Sequence, residues 1–83
     1  MRTEAFEKIM ANLIDISRED GGDEVFITLK NGDVYTFDMA ENDDMMPESC
    51  EIDGTIQLFE IRHKGKKYRT AWIEVSEIAT IRI

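Results

Sequence analysis

The residues with the most reactive side chains in this 83-residue chain are its one histidine, His63, and its one cysteine, Cys50. His63 lies in the lysine-rich stretch Arg62-His63-Lys64-Gly65-Lys66-Lys67-Tyr68-Arg69, with no cysteine or second histidine near it. A zinc site needs about four nitrogen or sulfur ligands, so none is expected here. Cys50 sits among Glu48, Glu51 and Asp53. These carboxylates disfavour a thiolate, and no base partner stands nearby, so nucleophilic catalysis is not expected. Asp43, Asp44, Glu48, Glu51 and Asp53 have the oxygen chemistry for a hard cation, but they lack the D-x-D-x-D-G spacing of a calcium loop. They read as a solvated acidic loop. No glycine-rich phosphate loop is present. The chemistry expected is therefore binding and not catalysis, with no metal and no cofactor.

Charge narrows the kind of binding. Residues 1–54 carry four Lys/Arg against fifteen Asp/Glu, a net −11, and residues 55–83 carry six against three, a net +3, which together give the chain's −8. Non-specific phosphate binding needs positive surface, so the whole chain disfavours nucleic acid as a partner. The basic exception is the stretch from Arg62 to Arg69. A lone cysteine excludes an internal disulfide and suits a reducing cytoplasm. No apolar run reaches the roughly 18 residues of a membrane span, and MRTEAFEKIM at the start lacks the apolar stretch of a secretory signal.

The elements that must position these residues fit one domain, 1–83. A chain of this length buries roughly 60–65% of its unfolded surface, so its core is small. Phe6, Ile9, Met10, Leu13 and Ile14 recur at helical spacing, which predicts an amphipathic helix over about 3–18. Thr3 is its expected N-cap, and Gly21-Gly22 its expected stop. The helix reads as a cover for one side of a small β-barrel.

EVFITLKNGDVYTFD, residues 24–38, carries the strongest local signal: two β-rich runs around Lys30-Asn31-Gly32. A two-residue Asn31-Gly32 turn would set Leu29 opposite Val34. A three-residue turn with Gly32 left-handed shifts the register by one and gathers Val25, Ile27, Leu29, Tyr35 and Phe37 on one face. The second register separates apolar from polar residues better, so it is the one expected. Strands are predicted at about 24–30 and 33–39. Residues Met39 to Gly54 have no periodicity and read as a long acidic loop, in which Met45-Met46 is expected to pack onto the barrel, the alternative being an exposed, adaptable contact.

A second hairpin is expected over Thr55 to Val75, with strands at about 55–62 and 66–74 and a turn at Lys64-Gly65. Alternation predicts Ile56, Leu58, Tyr68 and Trp72 on one face and Phe59, Ile61, Ala71 and Ile73 on the other. A final strand is predicted at about 78–83. With apolar residues on both faces of the second hairpin and an open edge on the last strand, a homo-oligomer held by these two elements is expected.

This order, a helix and then five strands, resembles the Sm/Lsm fold. VFITLKNGDVYTFDM is similar to the first Sm motif and TAWIEVSEIATIRI to the second. The resemblance implies an α+β, mostly β domain: an N-terminal helix followed by a five-stranded, strongly bent SH3-like (Sm-like) antiparallel barrel. Three departures concern function. Tyr35-Thr36-Phe37 offers no glycine where the second strand of the motif bends. Asp43 and Asp44 are not followed by the asparagine of RNA-binding members. Ile73-Glu74-Val75-Ser76 stands where Arg-Gly usually holds a base. The fold analogy therefore does not bring RNA binding with it.

The expected function is a non-catalytic protein-binding module whose acidic front, Glu41, Asp43, Asp44, Glu48, Glu51 and Asp53, occupies the basic groove of a protein partner. Small acidic proteins of phages and mobile elements that block nucleases work in this way, and the likeness is one of charge and size. The alternative is nucleic-acid contact through Arg62, Lys64, Lys66, Lys67, Arg69 and Trp72, with the aromatics stacking on bases.

Overall fold

The computed structural model describes residues 1–20, 24–42 and 54–83. One helix, α1 (Thr3–Asp20), precedes five antiparallel strands in a single sheet: β1 (Glu24–Leu29), β2 (Val34–Asp38), β3 (Thr55–His63), β4 (Lys66–Glu74) and β5 (Ile78–Arg82). Two 3₁₀ turns, Met39–Glu41 and Val75–Glu77, follow β2 and β4. The strand order is β4-β3-β2-β1-β5. The sheet is open, with β4 and β5 as its two edges.

α1 buries Phe6, Met10 and Ile14, spaced four apart, with Ser17 extending the same stripe. Leu13 packs beside them, and Ile9 lies at the margin, half-buried. The Arg2 carbonyl accepts from the Phe6 N–H at 3.0 Å. This is the first helical bond, so the cap falls at Arg2 and not at Thr3. α1 touches both 3₁₀ turns and covers a core formed by Val25, Ile27, Phe37, Ile56, Leu58, Ile61, Ile73 and Ile78. Each fully buried side chain of this size contributes roughly 1.5–3 kcal/mol. The expected helix stop at Gly21-Gly22 and the expected packing of Met45-Met46 lie outside the described residues.

The first hairpin adopts the expected three-residue turn. Val25 pairs with Phe37, Ile27 with Tyr35 and Thr28 with Val34. The Leu29 N–H donates to the Asp33 carbonyl at 2.8 Å, and Gly32, at φ +93°, takes the left-handed position that glycine adopts without strain. Asn31 fixes the turn, since its Oδ1 accepts from the Asp33 N–H at 2.9 Å.

The second hairpin departs from the expected face assignment. Its register pairs Ile56 with Ile73 and Leu58 with Ala71, so these four share a face, while Gln57 opposes Trp72. Burial then changes phase. Ile56 and Leu58 are fully buried, and the next fully buried residue is Ile61, three positions on. Between them Glu60 takes φ +55°, a left-handed conformation inside a strand. Strict alternation put Ile61 on the far side from Leu58, and the backbone reversal at Glu60 brings both into one core.

Candidate interaction surface

Lys64 and Gly65 connect β3 to β4 at φ +51° and +76°. Positive φ at both central residues defines a two-residue turn that matches strand twist. It sends β4 back along β3 as an edge strand of nine residues, six of them exposed. Trp72 is 64% exposed and Tyr68 43%. Trp72 opposes Gln57, on the far side of the strand from Ile56 and Leu58, while Tyr68 opposes the buried Ile61 and Lys66 opposes His63.

The basic residues divide into two groups. The Arg62 guanidinium donates to Glu24 and, at 3.3 Å, to Asp38. The hydrogen bond to Asp38 is the main reason the Arg62 pKa is held above its ordinary value. Lys64 Nζ lies 3.7 Å from Asp33, and Lys67 Nζ lies 3.1 Å from Glu60. Among the described residues Lys66 and Arg69 make no ion pair. Three of the five cations of the expected basic site are thus engaged by the chain's own acids, and two are left beside the exposed aromatics.

Strand register reveals a row that the sequence does not show. Lys67 opposes Arg62, Arg62 opposes Thr36, Thr36 opposes Phe26, and Phe26 opposes Arg82. Directly opposed residues point to the same face, so these five side chains cross the sheet side by side. At about 4.8 Å per strand the row runs for roughly 19 Å. Arg82 lies over the Phe26 ring at 4.1 Å, a cation–π contact. Glu24, Asp38 and Glu60 flank the row and neutralise its other two cations.

His63 is held for structure. Its ring stacks on Tyr35 at 4.2 Å with 12° between the planes, and its Nδ1 lies 3.1 Å from the Val34 carbonyl oxygen. A carbonyl only accepts, so Nδ1 carries the proton. Of the expected acidic front, Glu41 is described, exposed at the end of the first 3₁₀ turn. Asp43, Asp44, Glu48, Glu51 and Asp53 lie outside the described residues, as does Cys50. A cleft of about 600 Å³ is lined by Met1, Arg2, Thr3, Gly54, Glu74 and Ser76, with no histidine or cysteine among them. Among the described residues no cluster of three or more His, Cys, Asp or Glu could hold a metal, and no helix is long and apolar enough to cross a membrane.

No family model matches the chain, and no curated protein or solved structure matches it.

Proposed function

We propose that this chain is a non-catalytic protein-binding module that presents an acidic surface to the basic groove of a partner, on a sheet of Sm-like design. The strand order β4-β3-β2-β1-β5 behind an N-terminal helix supports the Sm-like reading. The observation that carries the function is the internal neutralisation of the basic stretch. With Arg62, Lys64 and Lys67 engaged by Glu24, Asp38, Asp33 and Glu60, the basic stretch keeps two free cations against the chain's net −8. Its long-range field is that of an anion, which steers it toward a cationic surface. The test is capture of a partner from nuclease-treated lysate by the wild-type chain and by a variant with Asp43, Asp44, Glu48 and Glu51 neutralised. Loss of the partner from the variant, and its release from the wild type by a nucleic-acid competitor, is the expected result. Equal recovery by both chains counts against the acidic front.

Nucleic-acid contact through Arg62, Lys64, Lys66, Lys67, Arg69 and Trp72 is the second reading. It is favoured by the unpaired Lys66 and Arg69 beside the exposed Trp72. Fluorescence anisotropy with a labelled oligonucleotide at low salt separates the two. Steeply salt-dependent binding, lost on neutralising Lys66 and Arg69, would establish the second reading in place of the first.

A further inference from the structure

Among the described residues, the free edge of β4 is the one long backbone edge whose side chains suit a partner of definite chemistry. An uncovered edge strand is a template for another strand, and proteins commonly protect such edges with lysine. Lys66, Lys67 and Arg69 fit that protective role. Protection alone does not account for Trp72, which is 64% exposed on the same strand and stabilises little of the fold.

Charge bears on one of the possible occupants, a copy paired through β5. A second copy would offer β5, the other sheet edge. β5 has five residues and β4 nine, so an antiparallel register that pairs all of β5 sets Arg82 opposite one of residues 66–70. That run is Lys-Lys-Tyr-Arg-Thr. In three of these five registers Arg82 faces Lys66, Lys67 or Arg69, and like charges facing across strands are destabilising. The cations that disfavour a copy of β5 attract carboxylates.

We propose that the β4 edge binds an extended acidic peptide segment of a partner protein, adding it to the sheet as a sixth strand. Tyr68 and Trp72 receive its apolar side chains, and Lys66 and Arg69 receive its carboxylates. Strand addition draws affinity from the main chain and specificity from alternate side chains, and this edge supplies both. The long-range repulsion from the chain's acidic half is screened beyond about 8 Å at physiological salt, which leaves Lys66 and Arg69, with Glu74 at the far end of β4, to act at contact. This surface is distinct from the acidic front and opposite in sign, so the two readings stand or fall separately.

Trp72 is the chain's one tryptophan and reports directly on the site. The probe is an acetylated peptide of about eight residues in which pairs of Glu alternate with pairs of Val, so that each face carries both, matched to the length of a strand. Saturable change in Trp72 emission is expected, weakened at least about tenfold by the Lys66→Glu/Arg69→Glu pair and by raising salt from about 50 to about 500 mM. Circular dichroism of the variant controls for folding. Three comparison probes are a peptide N-methylated at alternate residues, a peptide with Lys in place of Glu, and a single-stranded oligonucleotide. The proposal is overturned if the N-methylated or lysine peptide binds as well as the original, if the oligonucleotide binds more tightly, or if no probe binds. A multimer that hides Trp72 in the isolated chain, seen by light scattering with quenching measurements, overturns it in favour of a second copy.

Discussion

Asn42 holds Phe59 by both of its backbone groups: Asn42 Oδ1 accepts from the Phe59 N–H at 2.7 Å, and Asn42 Nδ2 donates to the Phe59 carbonyl at 3.0 Å. A neighbouring strand residue would make the same exchange. Carried along from the pair Thr36–Arg62, the β2–β3 register would bring Met39 opposite Phe59. Met39 has already left β2 for a 3₁₀ turn, and the fully buried Asn42 side chain takes its place in the ladder. Nδ2 also donates to the Asp38 carbonyl at 3.0 Å, tying the end of β2 to the same point.

Asn42→Ala should therefore destabilise far more than a surface loop substitution. It leaves the Phe59 N–H and two carbonyls without this partner, and each buried unsatisfied group costs about 1–3 kcal/mol. A total loss of roughly 2–4 kcal/mol is expected, read as a lowered midpoint in urea denaturation. A loss under about 0.5 kcal/mol, the usual range for surface substitutions, would show that the contact is dispensable.

Glu60, next to Phe59, should reverse the usual order of glycine and alanine. In an ordinary strand interior alanine is favoured over glycine by roughly 0.5–1 kcal/mol. At φ +55° a Cβ costs roughly 1–2 kcal/mol. Both substitutions remove the pair with Lys67, so it cancels between them. Glu60→Gly should be the more stable variant by about 0.5–1 kcal/mol.

Arg62 separates two acids that face each other directly, since Glu24 and Asp38 are cross-strand partners. Arg62→Ala leaves like charges opposed and should cost about 0.5–1 kcal/mol at low salt, less at high salt. Adding Glu24→Gln should recover most of the loss. The raised Arg62 pKa gives a sign for pH. Its contribution is complete at every pH below the ordinary guanidinium range and is lost only as pH climbs through the higher folded value. Between about pH 6 and about pH 10 the Arg62→Ala cost should stay flat where it depends on the guanidinium. A guanidinium-linked loss beginning near neutral pH would contradict this.

Lys64 occupies the first central position of its turn at φ +51°, a place that suits asparagine. Its ion pair with Asp33 is long and 74% exposed on the lysine side, and so contributes little. Lys64→Asn should leave stability unchanged or raise it by up to about 0.5 kcal/mol, with the turn amides the first to show it in hydrogen exchange.

The first hairpin was legible because its evidence is local: Asn31-Gly32 at the turn and a period of two on either side. The helix was legible for the same reason, through Phe6, Met10 and Ile14. The faces of the second hairpin were not, because a left-handed Glu60 has no mark in the sequence. A glycine there would have warned of a bend. Asn42 lay hidden in an aperiodic acidic tract, where its neighbours suggested solvent. The ion pairs of Arg62 depend on residues 38 and 24 positions away, so only a register can reveal them. The candidate basic site was found as a run of residue types, and its division into engaged and free cations came from the fold.

The pairing of β1 with β5 sets a delay in biosynthesis. Leu29 meets Ile78, 49 positions later in the chain. At a translation rate of roughly 5–20 residues per second, about 2–10 s pass between the making of the two. For that interval a nascent strand bearing Val25, Ile27 and Leu29 has β2 on one flank and nothing on the other. A ribosome carrying this half-made protein therefore displays a sticky flank just where a chaperone could shield it, and slowing synthesis between residues 30 and 78 should raise the yield of aggregate.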